Sequence, residues 1–240
     1  MPARQHATRR RWMRIVLVGF AVLLVIAAGA FFRARQLMAR APQWWHPPLK
    51  ADPETIDTAK AVENGVTTLL HQARPRDASW TMQVSNEDAN AWLGARLQDW
   101  FDNQGGSKWP KELEQVSAQF EDGALRVGAA LDLRGTRRVV SLRLEPRIDD
   151  RGQLWLPATS VQVGELGVPT GWVLGDASPL RSMIRADPGE MDRLSRVLAG
   201  QSPLASKPTL KLADGRRVRV TGLKLESGQL LVTCQGASAD

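Results

Sequence analysis

Between Phe120 and Leu174 the apolar residues fall on every second position, Leu125, Val127, Leu131 and Leu133, then Val140, Leu142 and Leu144. A period of two is that of a strand with one buried face. It is the wrong period for a helix, where apolar residues return every three or four positions. Turn signals interrupt the run at hairpin intervals: Glu121-Asp122-Gly123, Arg134-Gly135 and Asp149-Asp150-Arg151-Gly152. The stretch therefore predicts an antiparallel meander. It ends on Val163-Gly164-Glu165-Leu166-Gly167-Val168-Pro169, which breaks the alternation and hands the chain to short helical pieces, GWVLGD and SPLRSMIR.

Helices are expected on the amino-terminal side of the meander. Asp52-Pro53 is a helix start, with Ile56, Ala59, Val62, Val66, Leu69 and Leu70 following at helical spacing to about Gln72. Trp80, Met82 and Val84 alternate as a short strand. Ser85-x-x-Asp88 then opens a second helix that carries Ala89, Trp92, Leu93, Leu97, Trp100 and Phe101 on one face. That aromatic stripe either fills a curved sheet as plain core or lines a ligand site. Asp187-Pro188-Gly189-Glu190 opens a further helix that stops at Gly200, and the chain closes on β structure, with Asp214-Gly215 and Ser227-Gly228 as turns. Phe-Glu-Asp-Gly-Ala-Leu-Arg-Val and Leu-Glu-Ser-Gly-Gln-Leu-Leu-Val echo one another without a fixed period, as recurrent hairpin chemistry does.

From Ile15 to Phe32 the chain has no charged residue, and RRRWMR precedes this run while RARQLMAR follows it. About 18 apolar residues at 1.5 Å rise approach the roughly 30 Å of bilayer hydrocarbon. The rival is a cleaved signal peptide with Ala28-Gly29-Ala30 as its cleavage site. An apolar run beyond the usual signal length, with Arg33 and Arg35 directly after it, favours an uncleaved anchor. Five arginines before the span against three after it place the amino terminus in the cytoplasm and the bulk of the chain outside. Arg33 and Arg35, with Trp44 and Trp45, are candidate membrane-interface residues, the two indoles being alternatively the first core contacts of the domain. His46-Pro47-Pro48 makes a stiff connection.

The net charge of +7 does not point to nucleic acid. Eight of the 32 basic residues lie in the first 40 positions, which hold no acid; the remainder carries 24 basic against 25 acidic residues, a net of −1. Two basic clusters stand at hairpin ends, Arg134, Arg137 and Arg138, and Arg216, Arg217 and Arg219. If the two ends point the same way they can meet anionic lipid headgroups or an acidic polymer; otherwise they are solvated turn charges. One cysteine, Cys234, permits no intramolecular disulfide and sits in an alternating run as a small apolar residue. The three histidines are scattered, and neither HExxH nor GxSxG occurs. Asp149-Asp150 is explained by a turn and Glu87-Asp88 by helix capping. No cofactor, metal or catalytic residue is expected, and the chain is expected not to be an enzyme.

The run from Ser85 to Leu174, with SNEDANAWLGARL, EDGALRVG, LRLEPRIDDRGQLWL and VQVGELGVPTGWVL, resembles the YpmS-like bacterial membrane-anchored proteins of unknown function. That resemblance implies one amino-terminal span followed by an extracytoplasmic α+β domain with a VG-x-L-x-(I/L/V)-P passage. More loosely, strands wrapped on a helix resemble the tubular lipid-binding domains of the bactericidal/permeability-increasing type, which implies an apolar groove. The expected architecture is a basic cytoplasmic tail (1–14), a transmembrane anchor (15–32), a juxtamembrane linker (33–49) and an extracytoplasmic α+β domain (50–240). In that domain a curved antiparallel sheet packs on long helices. Trp92, Trp100, Phe101, Trp155, Val168, Pro169 and Trp172 are the candidate groove or ligand-lining residues, with the mouth sought at the VGELGVP corner and Trp172. The expected partners are the lipid bilayer, a lipid or other apolar ligand, or envelope proteins. The functional expectation is a non-catalytic domain that binds such a ligand or, alternatively, an envelope scaffold with a solid core.

Overall fold

The computed structural model describes residues 5–47, 52–75, 78–103, 109–132, 135–171, 188–212 and 214–237. The fold is α+β. Two helices lead, α1 (Gln5–Ala39) and α2 (Pro53–His71), followed by β1 (Ser79–Ser85), α3 (Asn86–Ala95) and α4 (Leu97–Asn103). The meander then runs through β2 (Leu113–Glu121), β3 (Ala124–Asp132), β4 (Arg137–Leu144), the short ribbon β5 (Arg147–Ile148) and β6 (Leu154–Trp155), β7 (Ala158–Val163) and β8 (Leu166–Val168). Helix α5 (Pro188–Leu198) and β9 (Thr209–Lys211), β10 (Arg217–Glu226) and β11 (Gln229–Ala237) complete it. Apart from the two-stranded β5-β6 ribbon, the strands divide between two open antiparallel sheets, a five-stranded one in the order β2-β3-β4-β7-β8 and a four-stranded one in the order β1-β11-β10-β9.

The helices begin where their caps put them. Asp52 Oδ2 accepts from the Thr55 amide and hydroxyl at 3.2 and 3.0 Å, and Pro53 occupies the first turn of α2. Ser85 and Asp88 form a reciprocal capping box at the start of α3. The second helix does not run unbroken to Phe101 as expected. It breaks at Arg96, whose guanidinium pairs with Glu63 of α2 at 3.0 Å, and resumes as α4. GWVLGD, apart from Gly171, and SPLRSMIR lie outside the described residues, as do Leu133 and Arg134.

The two sheets meet at their hairpin tips. The Gly123 amide donates to the Leu225 carbonyl at 3.1 Å, and the Gly228 amide donates to the Phe120 carbonyl at 3.0 Å. The Ser227 amide donates to Asp122 Oδ1 at 2.8 Å. In Phe-Glu-Asp-Gly and Leu-Glu-Ser-Gly, each glycine thus bonds the apolar residue that opens the other tetrapeptide. The echo in the sequence is a reciprocal joint between two like turns.

Strand β2 is an edge of its sheet, and an edge leaves a row of unpaired amides and carbonyls. Helix α3 covers it with two asparagines one turn apart. Asn86 Oδ1 accepts from the Phe120 amide at 2.7 Å; Asn90 Oδ1 accepts from the Ala118 amide at 2.8 Å and the Ser117 hydroxyl at 2.7 Å. Asn90 Nδ2 donates to the Ala118 carbonyl at 2.7 Å. The match is geometric, since four helical residues rise about 6 Å and two strand residues about 6.7 Å.

One face of the five-stranded sheet receives the segment after α1. Trp45, 9% exposed, packs with Trp44 against Ala130 and Val139, the two rings meeting edge to face at 5.6 Å. A Cβ at Gly128 would lie 2.7 Å from the Trp44 ring and 2.9 Å from that of Trp45. The tryptophan pair is therefore a core contact of the domain. The end of α1 docks on the turn between β7 and β8, where the Glu165 amide donates to the Leu37 carbonyl at 2.9 Å and Arg40 pairs with Glu165 at 3.8 Å. Gly164 has φ +60, and a Cβ there would meet the carbonyl oxygens of Leu37, Arg40 and Met38 at 2.5 to 2.7 Å.

Gly164→Ala is expected to undock α1. It combines about 1 to 3 kcal/mol of left-handed strain with a clash against backbone, so acrylamide should quench Trp44 and Trp45 more readily. Gly123→Ala, which has positive φ and an empty surround, should lower stability without that change; equal quenching in the two variants would refute the docking. Asn90→Leu strands the Ser117 hydroxyl and both Ala118 backbone groups, and should cost about 2 to 4 kcal/mol in denaturant unfolding. A loss under about 0.5 kcal/mol, the size of an ordinary surface change, would mean that water serves the edge equally well.

Candidate functional site

Residues directly opposite one another in an antiparallel pair point to the same side, so the register of the five-stranded sheet defines its faces. On one face the rows across the strands are Phe120, Leu125, Leu144 and Ala158; then Ala118, Val127, Leu142, Val161 and Val168; then Val116, Ala129, Val140, Val163 and Leu166; and last Leu113, Leu131 and Arg138. Every position is apolar except Arg138. On the opposite face stand Gln119, Arg126, Arg143 and Ser160, then Ser117, Gly128, Ser141 and Gln162, then Gln115, Ala130 and Val139. The sheet is amphipathic, and Trp44 and Trp45 cover part of its more polar side.

The apolar face is not sealed. Phe120, Ala118, Leu144 and Val161 are buried near the joint between the sheets, while Val116, Leu125, Val127, Ala129, Leu131, Val140, Leu142, Val163, Leu166 and Val168 are only half-buried. Helix α2 packs on α3, α3 on the β2 edge, and α1 touches β4 and β8 at its end. Residues of intermediate burial thus run across all five strands of this face, and partly accessible apolar surface of that kind can serve ligand or partner contact.

A second apolar feature lies beside the four-stranded sheet. Helices α2 and α3 leave a cleft of about 650 Å³ lined by Val62, Val66, Val84, Ala89, Trp92 and Leu93, with Glu63, Asn64 and Thr67 at its rim. The volume is within the range of small-molecule sites. Its ionic edge is already satisfied, because Glu63 accepts from Trp92 Nε1 at 3.1 Å and from Arg96 Nε and Nη2 at 3.2 and 3.0 Å. What remains for a ligand is the apolar wall.

The expected lining residues do not converge on one groove. Trp92 lines the cleft, and Trp100, 49% exposed, meets it edge to face at 6.3 Å. Phe101 turns away to Trp109 at 5.9 Å. Trp155 belongs to the β5–β6 ribbon, where its Nε1 donates to Asp149 Oδ2 at 2.9 Å and Arg147 lies over its ring. Val168 is on the apolar face, Pro169 is exposed, and Trp172 lies outside the described residues. The VGELGVP corner holds the end of α1. Leu125, Val127, Val140, Leu142 and Val163 are the half-buried residues of the apolar face, with Val161 buried among them; the alternation is their signal in the sequence, and strand order is what gathers them on one side.

The charged groups are largely accounted for. Asp149 accepts from the Gln153 amide, Trp155 Nε1 and the Arg151 amide, which hold its carboxyl below the usual range. Asp88 is spent in the capping box. Burial pushes the Cys234 thiol up, and Met82, Leu212 and Val218 surround it. Arg216 bonds Asp214 and the His71 and Gln72 carbonyls, closing the carboxyl end of α2. Of the two basic clusters, Arg134 lies outside the described residues. Arg137 stands opposite Asp132 in the register and Arg217 opposite Ala237, each at the strand end remote from the joint. Arg33 and Arg35 are exposed near the end of α1.

Helix α1 carries the apolar stretch Gly19–Ala39, none of it buried, long and apolar enough by length and composition to cross a membrane. No family model matches the chain, and no curated protein matches it. Among solved structures, a crystal structure of lipopolysaccharide binding protein is similar at 12% identity and a TM-score of 0.28, over 76% of this chain and 48% of that one. The chain spans about half the length of that structure.

Proposed function

We propose that this protein is a single-pass, membrane-anchored domain that holds a lipid or another apolar ligand on the outer side of the cytoplasmic membrane, without catalysing a reaction. The observation that carries the reading is the half-open apolar face of the five-stranded sheet. Sealing such a face is worth roughly 25 cal/mol per Å² of apolar area removed from water, and an acyl chain or another elongated apolar group supplies that cover.

The anchor is consistent with such a role. Phe20, Leu23, Val25, Ile26, Phe31 and Phe32 are each at least 60% exposed on α1, which makes lipid the natural solvent for that helix. The arginine count on its two sides orients the domain outward. A solid-cored envelope scaffold is the rival, and lipid content separates the two.

Native mass spectrometry of the full-length chain, purified in mild detergent, should find lipid bound beyond the detergent shell. Val140→Asp and Leu142→Asp, each placing a charge on the half-open face, should lower its occupancy by about tenfold, equivalent to 1.4 kcal/mol of affinity. Val66→Trp, which fills the cleft between α2 and α3, should leave it unchanged. A wild-type chain free of lipid would sink the reading, and loss only in Val66→Trp would move the site to the cleft.

A further inference from the structure

The apolar face has one polar position, and it lies at the end where the anchor docks. Arg138 is opposite Leu131 in the last row of the face, and alternation along β4 puts it on the same side as Val140 and Leu142. Its neighbour Val139 accepts the Gly164 amide at 2.7 Å, and Gly164 is the residue against which the last carbonyls of α1 pack.

Arg138 differs from the other arginines of this sheet. Arg126 and Arg143 share Glu121 at 2.8 and 3.2 Å on the opposite face, Arg143 also holds Glu145 at 2.8 Å, and Arg137 holds Glu114 at 2.9 Å. Arg138 has no acidic partner among the described residues, and its guanidinium donates only to the Arg137 carbonyl at 3.3 Å. The residue is half-buried while that hydrogen bond lies at the exposed surface, so its stem runs beside the apolar row and its guanidinium stands at the rim of the face. A guanidinium is a planar fork of donors suited to phosphate or carboxylate oxygens, and one left without an acid at the edge of apolar surface has an unmet demand for an anion.

We infer that the occupant of the apolar face is an anionic bilayer lipid, its acyl chain lying along Leu142, Val140 and Val163 and its net-negative headgroup at Arg138. The inference rests on the reading that the face binds an apolar ligand and that α1 crosses the membrane. It adds the class of ligand and its direction: headgroup toward the anchor, chain toward the joint between the sheets. Charge complementarity favours this occupant over an uncharged apolar molecule, which would leave Arg138 half-buried beside it with no counterion.

The test is competition on the full-length chain. Detergent-purified protein is equilibrated with equimolar phosphatidylglycerol and phosphatidylcholine, and retained lipid is read by native mass spectrometry. The wild type should favour phosphatidylglycerol by about tenfold, the scale of a charge-assisted hydrogen bond to a partly buried group. R138Q should bring the ratio close to one while total lipid stays unchanged, R138K should keep part of the preference, and R137Q, on the opposite face and already paired, should keep all of it. If the wild type retains both lipids equally, or R138Q keeps the wild-type ratio, the headgroup assignment is wrong while the apolar-ligand reading stands. If the wild type retains neither, both are wrong.

Discussion

Two glycines admit the segment that ties α1 to the sheet. At Gly164 the carbonyls of Leu37, Met38 and Arg40 come so near the backbone that any Cβ would overlap them, and the positive φ excludes most other residues independently. At Gly128 the Trp44 and Trp45 rings press on the Cα of β3. Between these points the chain is held by backbone hydrogen bonds, the Arg40–Glu165 pair and a buried indole. The region after α1 is therefore a fixed part of the domain, and it covers part of the more polar face of the sheet.

With that face occupied, the sheet's amphipathicity has a consequence. Each strand puts its larger apolar residues on the side that the tryptophans do not reach, and the helices are engaged elsewhere, α3 satisfying the β2 edge through Asn86 and Asn90 and α2 packing on α3. The edge has to be served because its donors and acceptors would otherwise be stranded near the buried Ser117. A helix committed to an edge cannot also lie across a face. The half-buried state of the face goes with that division of labour, since α2 and α3 are committed to each other and to the β2 edge.

Much of this was legible in the residues. The period of two gave the strands, Asp52-Pro53 and Ser85-x-x-Asp88 gave the helix starts, and the loose echo around Asp122-Gly123 and Ser227-Gly228 marked two like hairpins. Three things were hidden for identifiable reasons. The tip-to-tip joint needs two turns that are far apart in sequence to meet, which no local pattern announces. Asn86 and Asn90 look like ordinary helix-surface residues until an edge strand lies beside them. Aromatic residues drew attention as groove candidates because they are large, yet size does not say where a ring packs; Trp155 clamps a turn, Phe101 meets Trp109, and plain valines and leucines make the open face.

The continuity of α1 bears on how the domain meets a bilayer. On the reading that residues 15–32 cross the hydrocarbon, the helix goes on without a break to Ala39, so Phe32 and the docking point are separated by about 10 Å at 1.5 Å per residue. A headgroup layer is roughly 5 to 8 Å deep on each side of the hydrocarbon. The end of the sheet that carries Gly164, Glu165 and Arg138 then stands at the headgroups, with no flexible tether to lift it away. A rigid, short stalk also fixes the rotation of the sheet about the helix axis, because the contacts at Gly164 and Gly128 permit one register only. On that reading the orientation of the apolar face relative to the membrane is a property of the folded chain, set by two close approaches that no side chain larger than hydrogen would allow.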